Sequence, residues 1–286
     1  MPTLTDPAVI KELLRRHGFS FSRALGQNFI INPAVCPRMA ELGGAAPGVG
    51  VLEIGPGFGV LTAELCRRAE KVVAIELDDR LPPILAETLA EFDNVTIVPG
   101  DVLKLELPAL LEEHFAGMPA VICANLPYYI TSPVIMRLLE QSLPISSLTV
   151  MVQKEVAQRI AAAPGSPDYS AFTVFCQYYA EPELLFDVPA HCFLPQPKVT
   201  SAVIRLKVRK NRSWGEADRE IFFRTVRASF AMRRKKLSNG LAAGFPELGK
   251  AGAEAVILRA GFPENVRGET LGIPEFVQIA NAIAGR

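Results

Sequence analysis

Tryptophan, histidine and cysteine are all scarce in this chain of 286 residues, which contains one, three and five of them. The cysteines show no C-x-x-C spacing, so we expect no disulfide scaffold and no zinc site, and we predict a reduced, intracellular protein. The histidines, His17, His114 and His191, lack metal-ligand spacing, and no Ser/His/Asp arrangement or H-E-x-x-H motif occurs. We therefore expect no bound metal and no catalytic histidine.

Neither a secretory leader nor a membrane span is predicted. A secretory signal has a basic region followed by an apolar region, and the first seven residues contain neither. Residues 115–136 carry no Asp, Glu, Lys or Arg and are long enough to cross a bilayer. Because Pro119, Pro127 and Pro133 would interrupt an apolar helix, we interpret this stretch as a buried strand that runs into a special loop.

Charge is balanced overall but unevenly distributed. The chain has 30 basic and 30 acidic residues, and its 49% apolar content is that of a globular protein, which excludes disorder and collagen-like repeats. Residues 198–236 contain thirteen Lys or Arg and three Asp or Glu, a net charge of +10, and the rest of the chain carries −10. This segment indicates a polyanion-binding region; the alternative is a solvated face of an amphipathic helix.

Short apolar runs alternate with segments of helical period. Asp6 and Pro7 are typical of the start of a helix, which we expect to end before Gly18. The alternation that follows predicts an α/β fold with a doubly wound, largely parallel sheet and helices on both faces. The predicted strands are 51–54, 72–75, 95–98, 120–124, 148–152 and 201–208, and the predicted helices include 61–69 and 81–92.

The pattern changes after Val208. A polar segment, 210–216, precedes pieces of helical period at 218–232, 254–260 and 274–284. We therefore predict a first domain of residues 1–208 and a smaller, helical and basic domain of residues 209–286.

The first predicted sheet strand enters a glycine-rich turn with glycines at positions 55, 57 and 59. Gly55 and Gly57 would let the backbone approach a ligand closely, although dinucleotide enzymes also use such turns, with a different glycine spacing. Glu76, which ends the second strand, could accept hydrogen bonds from both hydroxyls of a ribose, and Asp101, after the third, could accept one from the amine of adenine. The combination predicts an adenosine-type cofactor, and S-adenosylmethionine fits better than NAD.

The fourth strand of the sheet ends in Asn125-Leu-Pro-Tyr128. The side-chain carbonyl of Asn125 and the backbone carbonyl of Pro127 could accept both N–H bonds of an exocyclic amine. This would aim the nitrogen lone pair at a methyl group without a strong base. Tyr128 could then stack on the base. The alternative is a strand-ending turn in which Asn125 is a local cap and Tyr128 belongs to the core.

A proline-rich loop, 193–201, supplies a second aromatic side chain beside a cation. Phe193 and Tyr128 could enclose an extruded base between them while Lys198 binds a phosphate. A rigid connection ahead of an edge strand is the alternative.

Four motifs together resemble the rRNA adenine dimethyltransferase family, above all its bacterial members that dimethylate two adjacent adenines in the 3′-terminal hairpin of 16S rRNA. The motifs are Leu25-Gly-Gln-Asn-Phe-Ile30, Glu53-Ile-Gly-Pro-Gly-Phe-Gly59, Asn125-Leu-Pro-Tyr128 and Phe193-Leu-Pro-x-Pro-Lys-Val199. The resemblance extends from about Arg23 into the second domain, where Arg233-Arg-Lys-Lys-Leu-Ser-Asn239 also matches. It implies a Rossmann-like class I S-adenosylmethionine-dependent methyltransferase domain with a smaller C-terminal helical domain.

The resemblance also implies roles for individual residues. Asn28 and Ile30 would close over the methionine part of S-adenosylmethionine, Gly55 would approach the cofactor, and Asn125 would serve both the cofactor and the target amine. The implied partner is 16S rRNA within a precursor of the small ribosomal subunit. We expect a cytoplasmic monomer that contacts no membrane.

A basic cluster in the second domain has two interpretations. If the side chains of this cluster contact phosphates, they would place a folded rRNA hairpin over the mouth of the active site. As a solvated helix end, they would interact only with the helix dipole. The cluster consists of Arg233, Arg234, Lys235 and Lys236.

Three other functions are alternatives. Related enzymes methylate 23S rRNA and confer macrolide resistance, and a relative could act mainly as a non-catalytic ribosome-assembly factor. The basic Arg-Arg-Lys-Lys-Leu segment favours the 16S enzyme over the first, and the intact cofactor positions argue against the second. A Rossmann dehydrogenase is the third alternative, and binding of S-adenosylmethionine rather than NAD would exclude it.

Overall fold

The computed structural model describes residues 4–19, 26–211, 214–215 and 217–285. Arg23 and Leu25, where the resemblance begins, lie outside the described residues. The chain forms two compact units, the first made of Met1–Ala157 with Glu181–Val208 and the second of Gln158–Ala180 with Arg209–Arg286.

The second unit contains a segment that the sequence placed in the first domain, Gln158–Ala180. The reason is an aromatic contact: Tyr178 packs on Phe222, with 4.7 Å between the ring centroids. Residue 208 is therefore one of three places where the chain passes between the units.

In the first unit, helices alternate with strands. The helices are α1 (Pro7–Arg16), α2 (Val35–Leu42), α3 (Val60–Cys66), α4 (Pro82–Thr88), α5 (Leu107–Phe115), α6 (Thr131–Glu140) and α7 (Lys154–Ile160), whose end belongs to the second unit. The strands are β1 (Phe29–Ile30), β2 (Gly50–Ile54), β3 (Lys71–Glu76), β4 (Val95–Pro99), β5 (Ala120–Asn125), β6 (Ile145–Gln153), β7 (Ala180–Val188), β8 (Phe193–Leu194) and β9 (Ser201–Val208).

The main sheet has the strand order β4-β3-β2-β5-β6-β9-β7 within the described chain. The strands from β4 to β6 are parallel, with Ile54 opposite Ile75 and Ile75 opposite Val98, while β9 is antiparallel to β6. The direction in which strands are added reverses between β2 and β5, and ligands of such sheets bind at the strand carboxyl ends at this point. β9, a possible edge strand from its sequence, lies between β6 and β7.

The interior parallel strands form because their apolar runs are buried on both sides, whereas β4, at the edge of the sheet, is only partly buried. Every residue of β2 is buried, and β5 is buried up to Asn125. Within the uncharged stretch 115–136, β5 is a buried strand that runs into a turn, as predicted, but residues 131–136 then form the start of α6. Among the described residues, no helix is both long and apolar enough to cross a membrane.

Helix α1 begins as its sequence predicts, because the Asp6 carboxylate accepts a hydrogen bond from the Ala8 N–H at 2.8 Å. The helix ends at Arg16, with His17 as its C-cap. Its buried residues Ile10 and Leu13 pack in a hydrophobic cluster with Ile84 and Leu85 of α4. This cluster fixes α1 to the body of the first unit.

The second unit is helical. Its helices are α8 (Ala171–Tyr179), α9 (Arg219–Ala231), α10 (Leu237–Gly244), α11 (Gly249–Arg259) and α12 (Ile273–Ile283). The Asp218 carboxylate caps α9 by accepting a hydrogen bond from the Ile221 N–H at 3.0 Å. The helical pieces predicted after residue 208 correspond to α9, α11 and α12.

Candidate active site

A cleft opens at the carboxyl ends of the parallel strands in the first unit. It encloses about 1010 Å³ of space, its open mouth included. All the residues expected to bind a cofactor line it: Asn28, Ile30, Gly55, Gly57, Glu76, Asp101 and Asn125. Pro127 and Tyr128 line it as well, whereas Phe193 and Lys198 do not.

The glycine-rich turn forms one wall of the cleft. Gly55 and Gly57 adopt left-handed backbone conformations, with φ of +70° and +60°. A Cβ atom at Gly55 would meet no atom within 4 Å, so the turn leaves open space there, whereas at Gly57 it would lie 2.9 Å from the Phe29 ring. The turn can therefore approach a ligand on one side while packing on Phe29 on the other.

Glu76 is buried at the end of β3. Its Oε1 atom accepts a hydrogen bond from the Asp78 N–H at 2.7 Å. Burial raises the pKa of this carboxyl group, and hydrogen bonds from the backbone N–H groups of Asp78 and Gly57 oppose the shift. The carboxylate is thus fixed beside the glycine turn, where the sequence predicts a ribose ligand.

Asp101 lies after β4, and its Oδ1 atom accepts a hydrogen bond from the Leu103 N–H at 2.9 Å. Its Oδ2 atom is 3.8 Å from the ammonium nitrogen of Lys104. The side chain is half-buried in the cleft wall. Glu76 and Asp101 therefore line the same cleft from neighbouring strands.

Asn125 faces the cleft from the end of β5. Its Nδ2 atom donates to the backbone carbonyl of Asn28 at 3.3 Å, and the Asn28 side chain donates to the Gly26 carbonyl at 3.0 Å. This bond orients the Asn125 amide, and Oδ1 is its atom that can accept a hydrogen bond from a ligand.

The Pro127 carbonyl is occupied by its own turn. It accepts hydrogen bonds from the Ile130 N–H at 3.2 Å and from the Thr131 hydroxyl at 3.1 Å. A carbonyl oxygen has two lone pairs, so this geometry does not match the role expected for Pro127 as an amine acceptor. The preceding residue, Leu126, also lines the cleft and carries the neighbouring carbonyl.

Two consecutive tyrosines stand at the cleft. The Tyr128 hydroxyl lies 2.6 Å from Ser201 Oγ, so its ring is tethered to β9. Tyr129 is 52% exposed, and its ring packs against Gly26, where a Cβ atom would lie 3.0 Å from the ring. Tyr129 was not among the residues predicted from the sequence, where its only signal is its place directly after the Asn-Leu-Pro-Tyr motif.

Phe193 lies in the core and not at the cleft. It is 2% exposed and belongs to a hydrophobic cluster that also includes Met39 of α2. In β8 it pairs with Ile30 of β1. The expected enclosure of a base between Phe193 and Tyr128 does not match this position. Lys198 is exposed in the following loop.

Glu53 is a further carboxyl group in the wall of the cleft. It is 1% exposed, and its Oε2 atom has no hydrogen-bond partner among the described residues. Burial raises the pKa of Glu53 to about 8. Among the described residues, no cluster of three or more His, Cys, Asp or Glu side chains could hold a metal ion.

The basic cluster lies in the second unit, between α9 and α10. Arg233 forms an ion pair with Glu269 at 2.7 Å and donates to the carbonyls of Pro167 and Ser166 at 2.8 and 2.9 Å. These bonds bind Arg233 to its own unit and distinguish it from the other three members. Those three are exposed: Arg234, Lys235 and Lys236.

The strand order, the glycine turn and the acidic residues at successive strand ends define a Rossmann-like class I methyltransferase. The dimethyladenosine transferase from Plasmodium falciparum shares this fold, with 24% identity and a TM-score of 0.74 over 88% of this chain and 95% of that one. The structure of the 23S rRNA methyltransferase ErmE has 28% identity and a TM-score of 0.68 over 90% of this chain and 99% of that one. The predicted fold class is confirmed.

A family model described as ribosomal RNA adenine dimethylase matches residues 18–284, and the chain belongs to this family. The chain is 48% identical to the ribosomal RNA small subunit methyltransferase A of Geobacillus kaustophilus, over 98% of this chain and 97% of that protein. It is 43% identical to the protein of the same name from Clostridioides difficile, over 99% and 98%. The family predicted from the motifs is confirmed.

Proposed function

We propose that this protein uses S-adenosylmethionine to dimethylate the N6 amines of two adjacent adenosines in the 3′-terminal hairpin of 16S rRNA. The observation that carries the proposal is the cleft in which Glu76, Asp101 and Asn125 meet beside Gly55. The relatives of 43–48% identity bear the name of a small-subunit rRNA methyltransferase, which favours this function over methylation of 23S rRNA. The complete cleft favours an enzyme over a non-catalytic assembly factor.

The cleft fits S-adenosylmethionine. The turn at Gly55 leaves open space where a ligand can approach, and the carboxylates of Glu76 and Asp101 suit the ribose hydroxyls and the adenine amine. Asn28 and Ile30 line the cleft from the segment 26–30 and are assigned to the methionine part. When bound, the cofactor supplies a methyl group on a positively charged sulfonium.

The chain itself orients the target amine. Asn125 Oδ1 and the Leu126 carbonyl accept the two N–H bonds, Leu126 replacing Pro127 because the Pro127 carbonyl is bonded within its turn. This directs the nitrogen lone pair into the cleft, and positioning of this kind needs no strong base. The ring of Tyr128, tethered through Ser201, supports the base.

The second unit contributes charge. It carries a net charge of +6 and the first unit −6. We assign Arg234, Lys235 and Lys236 to rRNA phosphates, with Lys198 of the first unit as a further contact. The enzyme acts during small-subunit assembly, in the cytoplasm, as a monomer, and without a metal ion.

A pair of variants tests this function. Asn125→Ala should lower methyl transfer to unmethylated 30S particles roughly 10²–10³-fold, because one preorganised partner of the amine is lost. Glu76→Ala should instead weaken the binding of S-adenosylmethionine and of S-adenosylhomocysteine alike, roughly 10- to 150-fold by calorimetry. The variant removes a hydrogen-bond acceptor for the ribose that the two molecules share.

The substrate is tested with 30S particles in which each of the two adenines is replaced in turn. Each replacement should halve the methyl groups transferred, and 50S particles should accept none. Near-normal turnover by Asn125→Ala would show that the amine assignment is wrong. Transfer to 50S particles alone would contradict the 16S substrate.

A further inference from the structure

We propose that Asp78 is a positioning residue, which holds the segment 26–30 and the Glu76 carboxylate together so that the affinity for the cofactor depends on a side chain outside the cleft. The inference rests on the proposed function, because it concerns the affinity for S-adenosylmethionine. Asp78 is buried and is not among the residues that line the cleft.

Asp78 joins the two sides of the cofactor site. Its Oδ2 atom accepts a hydrogen bond from Gln27 Nε2 at 2.8 Å, in the segment that carries Asn28 and Ile30. Its backbone N–H donates to Glu76 Oε1 at 2.7 Å. One residue therefore bonds both to the segment at the methionine side and to the carboxylate at the ribose side.

Arg80 keeps the Asp78 carboxylate in place and ionised. Its Nε and Nη2 atoms donate to the two carboxylate oxygens at 2.7 and 2.6 Å, a two-point contact with little freedom of rotation. The hydrogen bonds from this guanidinium group hold the pKa of Asp78 below its ordinary value, although burial opposes the shift. The carboxylate is thus paired with Arg80 as well as hydrogen-bonded to Gln27.

Aromatic contacts give the same region a second attachment. The Arg80 guanidinium lies over the Phe19 ring, 4.6 Å from its centroid, and Phe19 meets Phe58 edge to face at 5.6 Å. Phe58 stacks on Phe29 at 3.9 Å. Residues on both sides of 20–25 are therefore tied to the Asp78–Arg80 pair, Phe19 through Arg80 and Gln27 through Asp78.

The contacts predict what a loss would do. If Asp78 only stabilised the fold, its removal would lower the melting temperature but leave the ligand affinity of the folded protein unchanged. If Asp78 positions the site, removing either its bond to Gln27 or its carboxylate charge should weaken binding of the ligand. The two effects should not multiply, because both remove the same link.

The test measures binding of S-adenosylhomocysteine by calorimetry in Gln27→Ala, Asp78→Asn and the double variant. We expect affinity to fall roughly 10-fold in each single variant, and the double variant to be no weaker than Asp78→Asn. At equal ligand concentration, hydrogen exchange at residues 26–30 should slow less on ligand binding in Asp78→Asn than in the unmodified protein. Asp79→Asn is the matched control, because Asp79 is the exposed neighbour of Asp78. The affinity of this variant for S-adenosylhomocysteine should stay within about twofold of that of the unmodified protein.

Unchanged affinity in folded Gln27→Ala and Asp78→Asn, or fully multiplying losses, would overturn the inference. If Asp78→Asn does not fold, Gln27→Ala still decides the question. Gln27 is only half-buried, and this variant removes the bond to Asp78 that is the link at issue. Failure of the unmodified protein and of Asp79→Asn to bind S-adenosylhomocysteine would contradict the proposed function instead. The two failures are therefore distinguishable.

Discussion

Glu53 is a carboxyl group held where ionisation is costly. It is almost fully buried, with one oxygen unpaired among the described residues, and its pKa of about 8 lies well above the ordinary value. Between the ordinary pKa, about 4.3, and pH 8, the folded state holds this proton while the unfolded state has released it. The contribution of Glu53 to stability therefore decreases as pH rises through this window and levels off above pH 8.

Glu53→Gln removes the charge and keeps the shape, so the variant should melt higher than the unmodified protein at pH 8, with a difference that shrinks towards pH 5. Each kcal/mol gained should raise the melting temperature by about 2–4 °C. Thermal melts of the ligand-free protein across this range provide the measurement. Glu112→Gln, at an exposed site on α5, is the control and should show no such trend. Identical melting curves for Glu53→Gln and the unmodified protein at every pH would contradict the assignment.

Residues that end strands were predictable from the sequence, and residues whose role depends on a turn or on packing were not. Glu76, Asp101 and Asn125 were found because the carboxyl ends of parallel strands meet at one edge of the sheet, and all three line the cleft. The two turn bonds to the Pro127 carbonyl and the burial of Phe193 depend on how the chain folds back on itself. Sequence spacing carries no signal for such contacts.

At the scale of elements, α9 and α10 cross closely enough to require glycine. A Cβ atom at Gly244 would lie 2.4 Å from Ala228 Cβ, and one at Gly240 would lie 2.4 Å from the Ala228 carbonyl oxygen. Gly244→Ala should therefore destabilise the protein by about 1–3 kcal/mol, the usual cost of overpacking.

Thermal or urea unfolding measures this cost. Ala243→Ser, at the exposed neighbouring position, should be near neutral. Binding of S-adenosylhomocysteine by folded Gly244→Ala should be unchanged, because the described residues that line the cleft all belong to the first unit. Equal stability of the two variants would show that the helices can separate without cost.

The interior strands were predictable from their apolar runs, whereas β7 and α8 were among the elements that were not. Strand β7 contains Glu181, Pro182 and Glu183 and is only partly buried, because it is the last strand of the sheet and needs no apolar run on its outer side. Helix α8 has the apolar periodicity of a buried element, but its aromatic side chains pack on residues far along the chain, such as Phe222. The sequence alone therefore assigned α8 to the wrong side of the predicted boundary.

At the scale of the whole molecule, the chain separates its charges. The second unit carries a net charge of +6 against −6 for the first, so the field that attracts a polyanion comes from the helical unit. Arg205 and Lys207 of β9 share a single carboxylate, that of Glu183, with which they form ion pairs at 2.8 and 3.1 Å. These contacts favour the exposed Arg234, Lys235 and Lys236 as the principal phosphate ligands.

Replacing Arg234, Lys235 and Lys236 together by Gln should reduce the slope of log affinity for an rRNA hairpin against log salt concentration by about 2–3 units. Each phosphate contact that is lost lowers this slope by somewhat less than one unit, because fewer counterions are released on binding. Fluorescence anisotropy of a labelled hairpin at a series of salt concentrations gives this slope. The melting temperature and the affinity for S-adenosylhomocysteine should hardly change, because the three side chains are exposed and lie outside the first unit. Arg233→Gln is the matched variant: it loses the Glu269 ion pair and two bonds to carbonyls, so it should melt lower yet keep the salt slope. If the triple variant keeps its slope and melts several degrees lower, the cluster is structural, and Lys198 becomes the first residue to test for contact with rRNA.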